Sequence, residues 1–114
     1  MKAANWKFEG KQGSTFDSDT FTIDDDGVPW NLTGWTARMQ IRPFIASSKV
    51  LKSLTSSDGI TLGGSAGTFS ITISAADMAA MPSGTHRYDL EFDSGSRVYP
   101  ILEGAFVVDP EVTR

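Results

Sequence analysis

The chain is 114 residues long, carries ten Lys and Arg against fourteen Asp and Glu for a net charge of -4, and has no cysteine. That length suits one domain and excludes a two-domain enzyme, and without cysteine there is no disulfide framework, thiol nucleophile or thiolate metal site. The acidic balance argues against a nucleic-acid partner, because phosphate binding rests on clustered cations.

In chain order, Met1 to Trp6 lacks the apolar run of a signal peptide, and no stretch of about 18 apolar residues could span a bilayer. No membrane partner is expected, and the chain is read as made and folded in cytosol. Asn5 to Glu9 alternates, with Trp6 and Phe8 on one face and Lys7 and Glu9 on the other, and reads as a strand before the turn Lys11 to Ser14. Phe16, Phe21 and Ile23 lead to Asp24-Asp25-Asp26-Gly27, a hairpin turn in which Gly27 supplies positive φ. Leu32 to Arg42 is the clearest strand. Trp35, Ala37, Met39 and Ile41 fall on one side, and Thr36, Arg38, Gln40 and Arg42 on the other, until Pro43 removes a ladder donor.

Phe44 to Leu54 shows no decisive period; Val50 to Leu54 fits either a short strand or one helical turn. Ile60 to Leu62 and Thr68 to Ile73 flank Gly63 to Gly67 as a hairpin. Ser74 can cap a short helix of about two turns over Ala75 to Met81, which Pro82 and Gly84 end. His86, Tyr88, Leu90 and Phe92 then alternate with Arg87, Asp89 and Glu91. The turn Asp93 to Ser96 returns the chain as a long strand, Arg97 to Val108, where Pro100 and Gly104 are the natural places for a bend that carries it from one sheet to the next. The expected fold is all-β: an antiparallel β-sandwich, Ig-like or jelly-roll-like, of about seven to nine strands with one short edge helix. It fills residues 1-114 as a single domain, with 109-114 an extended tail.

The chemistry on offer is sparse. Asp17, Asp19, Asp24, Asp25 and Asp26 are acidic, but calcium loops space their acids at alternate positions and close on a Glu, so a solvated turn is favoured over a weak cation site at Asp24 to Asp26. His86 is the only histidine, lies on the apolar side of its strand, and reads as packed at the core edge. Asp89, Glu91 and Glu103 could supply paired carboxylates, yet Asp89 and Glu91 share a wet strand face with Arg87, where a cross-strand ion ladder joined by Arg38 and Arg42 explains them better. Most aromatics take core positions. Trp30, between Pro29 and Asn31, is the exception and fits either an interface anchor or a lid over a sheet edge. Gly63 to Gly67 lacks the lysine and helix of a phosphate loop. No catalytic, metal or cofactor-binding residues are predicted, and no cofactor.

Three segments, Asp25 to Arg42, Tyr88 to Glu91 and Leu102 to Arg114, resemble a family of short proteins encoded by tailed bacteriophages and prophages. The chain also resembles the N-terminal β-sandwich of phage baseplate upper proteins, which attaches a receptor-binding device to the tail. The resemblance implies a non-enzymatic virion component whose partners are other tail, baseplate, fibre or capsid subunits, copied as a homo-oligomer in a symmetric assembly. A tail or baseplate adaptor is the expected role; a head decoration protein or a host-surface carbohydrate-binding module are the alternatives. Trp30 and Trp35 stand where the family pattern leads one to expect smaller residues, which leaves room for a surface specific to this chain. Exposed strand edges or the Pro110 to Arg114 tail could add to a neighbour's sheet.

Overall fold

Alternating apolar side chains give this chain two sheets that pack face to face, seen in a computed structural model that describes residues 3-113. Met1 and Lys2 of the N-terminal segment and Arg114 of the expected tail lie outside the described residues. The larger sheet uses β1 (Ala4–Asn5), β2 (Phe8–Lys11), β7 (Thr36–Arg42), β8 (Lys52–Thr55), β11 (Gly84–Asp93) and β12 (Val98–Asp109). Its order is β1-β12-β11-β7-β8, with β2 continuing the line of β1 along β12. The smaller sheet centres on β10 (Thr68–Ile73), flanked by β9 (Ile60–Leu62) and by β3 (Phe16–Asp17) and β4 (Phe21–Thr22). A separate ribbon pairs β5 (Asp24–Asp25) with β6 (Val28–Pro29).

The core lies between the sheets. Met39, Ile41, Leu90, Phe92, Phe106 and Val108 from the larger sheet are almost wholly buried, as are Phe69, Ile71 and Ile73 from the smaller one. Phe69 meets Phe92 edge to face at 5.2 Å, and Phe16 lies 5.2 Å from Phe106, so aromatic pairs join the layers. The short helix α1 (Ala75–Ala80) forms as expected. Ser74 accepts a hydrogen bond from the Asp77 amide at 3.2 Å, and Met78 is driven into the core.

Several expectations need correction. The Leu32 to Arg42 strand begins only at Thr36. Asn31 Oδ1 accepts from the Thr33 amide, and the Trp35 amide donates to the Leu32 carbonyl, so residues 31-35 form an Asx-type turn that alternation alone does not reveal. Leu32 is nonetheless buried. The ambiguous Val50 to Leu54 run is strand, as β8. The long last strand does not change sheets: β12 stays paired with β11 along its length and absorbs its irregularity as a register shift at Leu90/Glu91, opposite Leu102 and Pro100.

Pairing at the N-terminus also departs from a purely antiparallel pattern. β1 and β2 run parallel to β12, with Ala4 opposite Leu102 and Phe8 opposite Phe106. Gly104 makes the approach work. Its φ of +152 belongs to the region that favours glycine, and a Cβ there would sit 2.5 Å from the Trp6 carbonyl oxygen. The Tyr88 ring, opposite Gly104 on β11, sends its hydroxyl to donate to that same Trp6 carbonyl at 2.5 Å. The ribbon is docked in a similar way: a Cβ on Gly67 would meet the Ile23 carbonyl at 2.7 Å and the Trp30 amide at 2.9 Å.

Candidate interaction surfaces

The outer face of the larger sheet carries most of the polar residues singled out in the sequence. Register places Arg38 opposite Glu91, Gln40 opposite Asp89, Arg42 opposite Arg87, and Asp89 opposite Glu103. The ladder therefore forms in part. Arg38 Nε donates to Glu91, with Asp93 4.0 Å from its other end. That pair is solvent-exposed and screened, so it contributes little to folding and remains free to rearrange against a partner. Arg42 does not join it: its guanidinium donates to Gln40 Oε1 at 2.7 Å and to the Ser47 carbonyl at 2.6 Å.

Asp89 is left among carboxylates. Burial raises its carboxyl above the ordinary value, Glu91 and Glu103 push the same way, and Arg42 and Arg38 oppose them. Gln40, Arg42, Ile45, Arg87, Asp89 and Glu103 line a shallow depression of about 350 Å³ here. Its rim includes the exposed loop residue Ile45, an apolar side chain beside a charged floor, with exposed Phe44 next to it in the chain. The period-free run that contains them offered no sequence signal for that position. Asp89, Glu91 and Glu103 share this face with Arg38 and Arg42, so it is a mixed-charge surface.

Trp30 is half-buried. It packs against Trp35 at 5.7 Å and Tyr99 at 5.5 Å, and Trp35 stacks on Tyr99, so the three rings close one end of the sandwich. Asp24, Asp25 and Asp26 are exposed in the ribbon, whose two-residue turn has positive φ at Asp26 (52°) and Gly27 (82°). Among the described residues no three His, Asp or Glu side chains converge as metal ligands there or elsewhere. His86 is buried, and its Nε2-H donates to the Pro82 carbonyl at 2.7 Å. That satisfies the ring as a helix-end clasp.

The sheet edges differ in how they are finished. β8 is short, and Lys52 at its start is tied to Asp77 on α1 at 2.7 Å, holding the Asp77 carboxyl below its ordinary value. The edge formed by β3 and β4 is interrupted where Ser18 replaces a strand partner: its amide donates to the Ile71 carbonyl and its Oγ accepts from the Ile71 amide at 2.8 Å. The edge from Ala4 to Lys11 is formed by β1 and β2 with a break at Trp6 and Lys7, and Asn5, Trp6, Lys7, Glu9 and Lys11 on it are exposed. At the other end, the start of the tail is anchored: the Glu111 amide donates to Gln12 Oε1, while Gln12 Nε2 donates to the Met81 carbonyl. Val112 beyond it is 83% exposed. Gln12 and Tyr88 hold distant segments together, and because each acts on a main-chain carbonyl or amide far away in sequence, residue type gave no hint of it. No protein-family model matches the chain, and no curated protein matches it.

Proposed function

We propose that this chain is a non-enzymatic structural protein of a tailed bacteriophage virion, made in the host cytoplasm, and that it serves as a tail or baseplate adaptor joining fibres or other receptor-binding parts through protein-protein contacts. One observation carries the reading. The three segments that resemble phage proteins are far apart in sequence, yet each contributes a strand to one sheet, β7, β11 and β12, which are neighbours there; residues 25-35 of the first segment lie outside it, in the β5–β6 ribbon and the turn before β7. The neighbouring strands give the reading one shared surface to rest on. Its outer face presents Arg38, Arg42, Asp89, Glu91 and Glu103, with Ile45 exposed at the rim of the depression. Mixed charge beside an apolar side chain suits a contact between subunits, where charge complementarity selects the partner.

The test is location. Particles of the phage or prophage that encodes the chain, imaged with the protein labelled, are expected to show it on the tail or baseplate. A position on the capsid overturns the adaptor role and makes the chain a head decoration protein. Absence from purified particles overturns a virion role altogether.

A further inference from the structure

The Ala4 to Lys11 edge has a pattern that specifies its own partner. In the parallel pairing with β12, the Trp6 amide donates to the Glu103 carbonyl and the Gln12 amide to the Asp109 carbonyl. The Trp6 and Gln12 amides thus point toward β12, and alternation turns the main-chain groups of Asn5, Glu9 and Lys11 outward; the pairing is interrupted between β1 and β2 at Trp6 and Lys7, where the Trp6 carbonyl accepts from Tyr88, and the constant register on β12 on either side places Lys7 on the outward side too. Among the described residues no strand pairs with that outer side. The same odd-numbered residues alternate in charge, Lys7, Glu9, Lys11.

We propose that two copies of this chain pair antiparallel along the Ala4 to Lys11 edge, about a two-fold axis at Phe8, joining their larger sheets into one. In this register Lys7 lies opposite the partner's Glu9 and Asn5 opposite the partner's Lys11, each pair exchanging both main-chain hydrogen bonds. The charge pattern selects it. Sliding by one pairing step in one direction sets Lys7 against the partner's Lys7, and in the other sets Glu9 against the partner's Glu9 and Lys7 against the partner's Lys11. Either puts like charges directly opposite one another. The remaining edges are the short β8 with its tied Lys52, the interrupted β3 and β4, and the three-residue β9.

This contact supplies a geometry for the homo-oligomer in the functional reading above, but it is a property of the purified chain and stands or falls separately from a place in a virion. Sedimentation velocity of the full chain is expected to give a dimer. Lys7→Glu or Glu9→Lys alone should weaken it by about tenfold or more, since both symmetry-related pairs become repulsive. The double variant Lys7→Glu/Glu9→Lys restores complementarity and should recover the dimer. Because the chain has no cysteine, the register is read directly: Asn5→Cys chains mixed with Lys11→Cys chains should form a disulfide-linked dimer, since opposed Cα atoms about 5.5 Å apart suit that bond. A wild-type chain that stays monomeric at all concentrations overturns the proposal. So do single reversals that dimerise like wild type, a double variant that does not recover, or failure of the mixed cysteines to cross-link. These side chains are exposed, so thermal melts of each variant at concentrations below dimerisation should match wild type. Dimerisation without particle incorporation would leave this contact standing and remove only the virion role.

Discussion

Gly104 is held by two neighbours at once, the Trp6 carbonyl on one side and the Tyr88 ring on the other. Gly104→Ala combines a strained φ with a main-chain collision, and should cost about 3 kcal/mol or more in a denaturant titration. Tyr88→Phe is a milder probe of the same spot. It leaves the Trp6 carbonyl without its donor and should cost about 1-2 kcal/mol at neutral pH. It also has a pH signature. Burial pushes the Tyr88 phenol well above its ordinary value of 10.0, so the folded chain keeps the proton that the unfolded chain releases. Stability from this group is therefore complete below about pH 10 and declines as pH rises beyond it. Melting temperatures taken from pH 8 upward should converge for wild type and Tyr88→Phe; parallel curves would show that the hydroxyl is not buried as described.

Between elements, the outer row of the larger sheet sets Asp89 against Glu103 across β11 and β12. The folded state raises the Asp89 carboxyl, so this group favours folding only when protonated, and its unfavourable contribution sets in as pH rises through and above its ordinary value of 3.8. Asp89→Asn should raise the melting temperature by about 2-4 °C at pH 7, since one opposed like-charge pair is removed, and change little near pH 3. An equal effect at both pH values would rule out the charge explanation. Sequence reading succeeded where the determinant is local. Alternation marks Ala37 to Ile41 and His86 to Phe92, Asp-Gly marks the ribbon turn, and Ser74 with Pro82 brackets α1. It failed where the determinant is a distant main-chain group. The turn at Asn31 to Trp35 depends partly on the Leu32 amide reaching the Gly64 carbonyl, and the parallel course of β1 depends on a glycine and a tyrosine more than eighty residues away. Of the interaction surface, the charged strand faces were legible. Whether Arg42 pairs with Asp89 or with Ser47 was not, because that depends on the path of the Phe44 to Lys49 loop.

At the scale of the molecule, the chain is an elongated body of 44 × 27 × 23 Å. Its C-terminal segment is clasped at Glu111 by Gln12, and Val112 and Thr113 after it are exposed. Removing residues 112-114 should leave the melting temperature unchanged within error, because nothing buried is lost, yet lower incorporation into particles if the tail reaches a neighbour. Particles that assemble normally with the shortened chain would remove the tail from the contact. The parallel pairing of β1 and β2 with β12 has a mechanical consequence as well. Ala4 lies beside Leu102 and Lys11 beside Asp109, so the two ends of the chain leave this strand pair in opposite directions. Tension applied between the ends loads the hydrogen bonds of that pair side by side, in shear, rather than one after another as in unzipping. Pulled from both sides, the fold would resist stretch at the seam where its first and last strands meet.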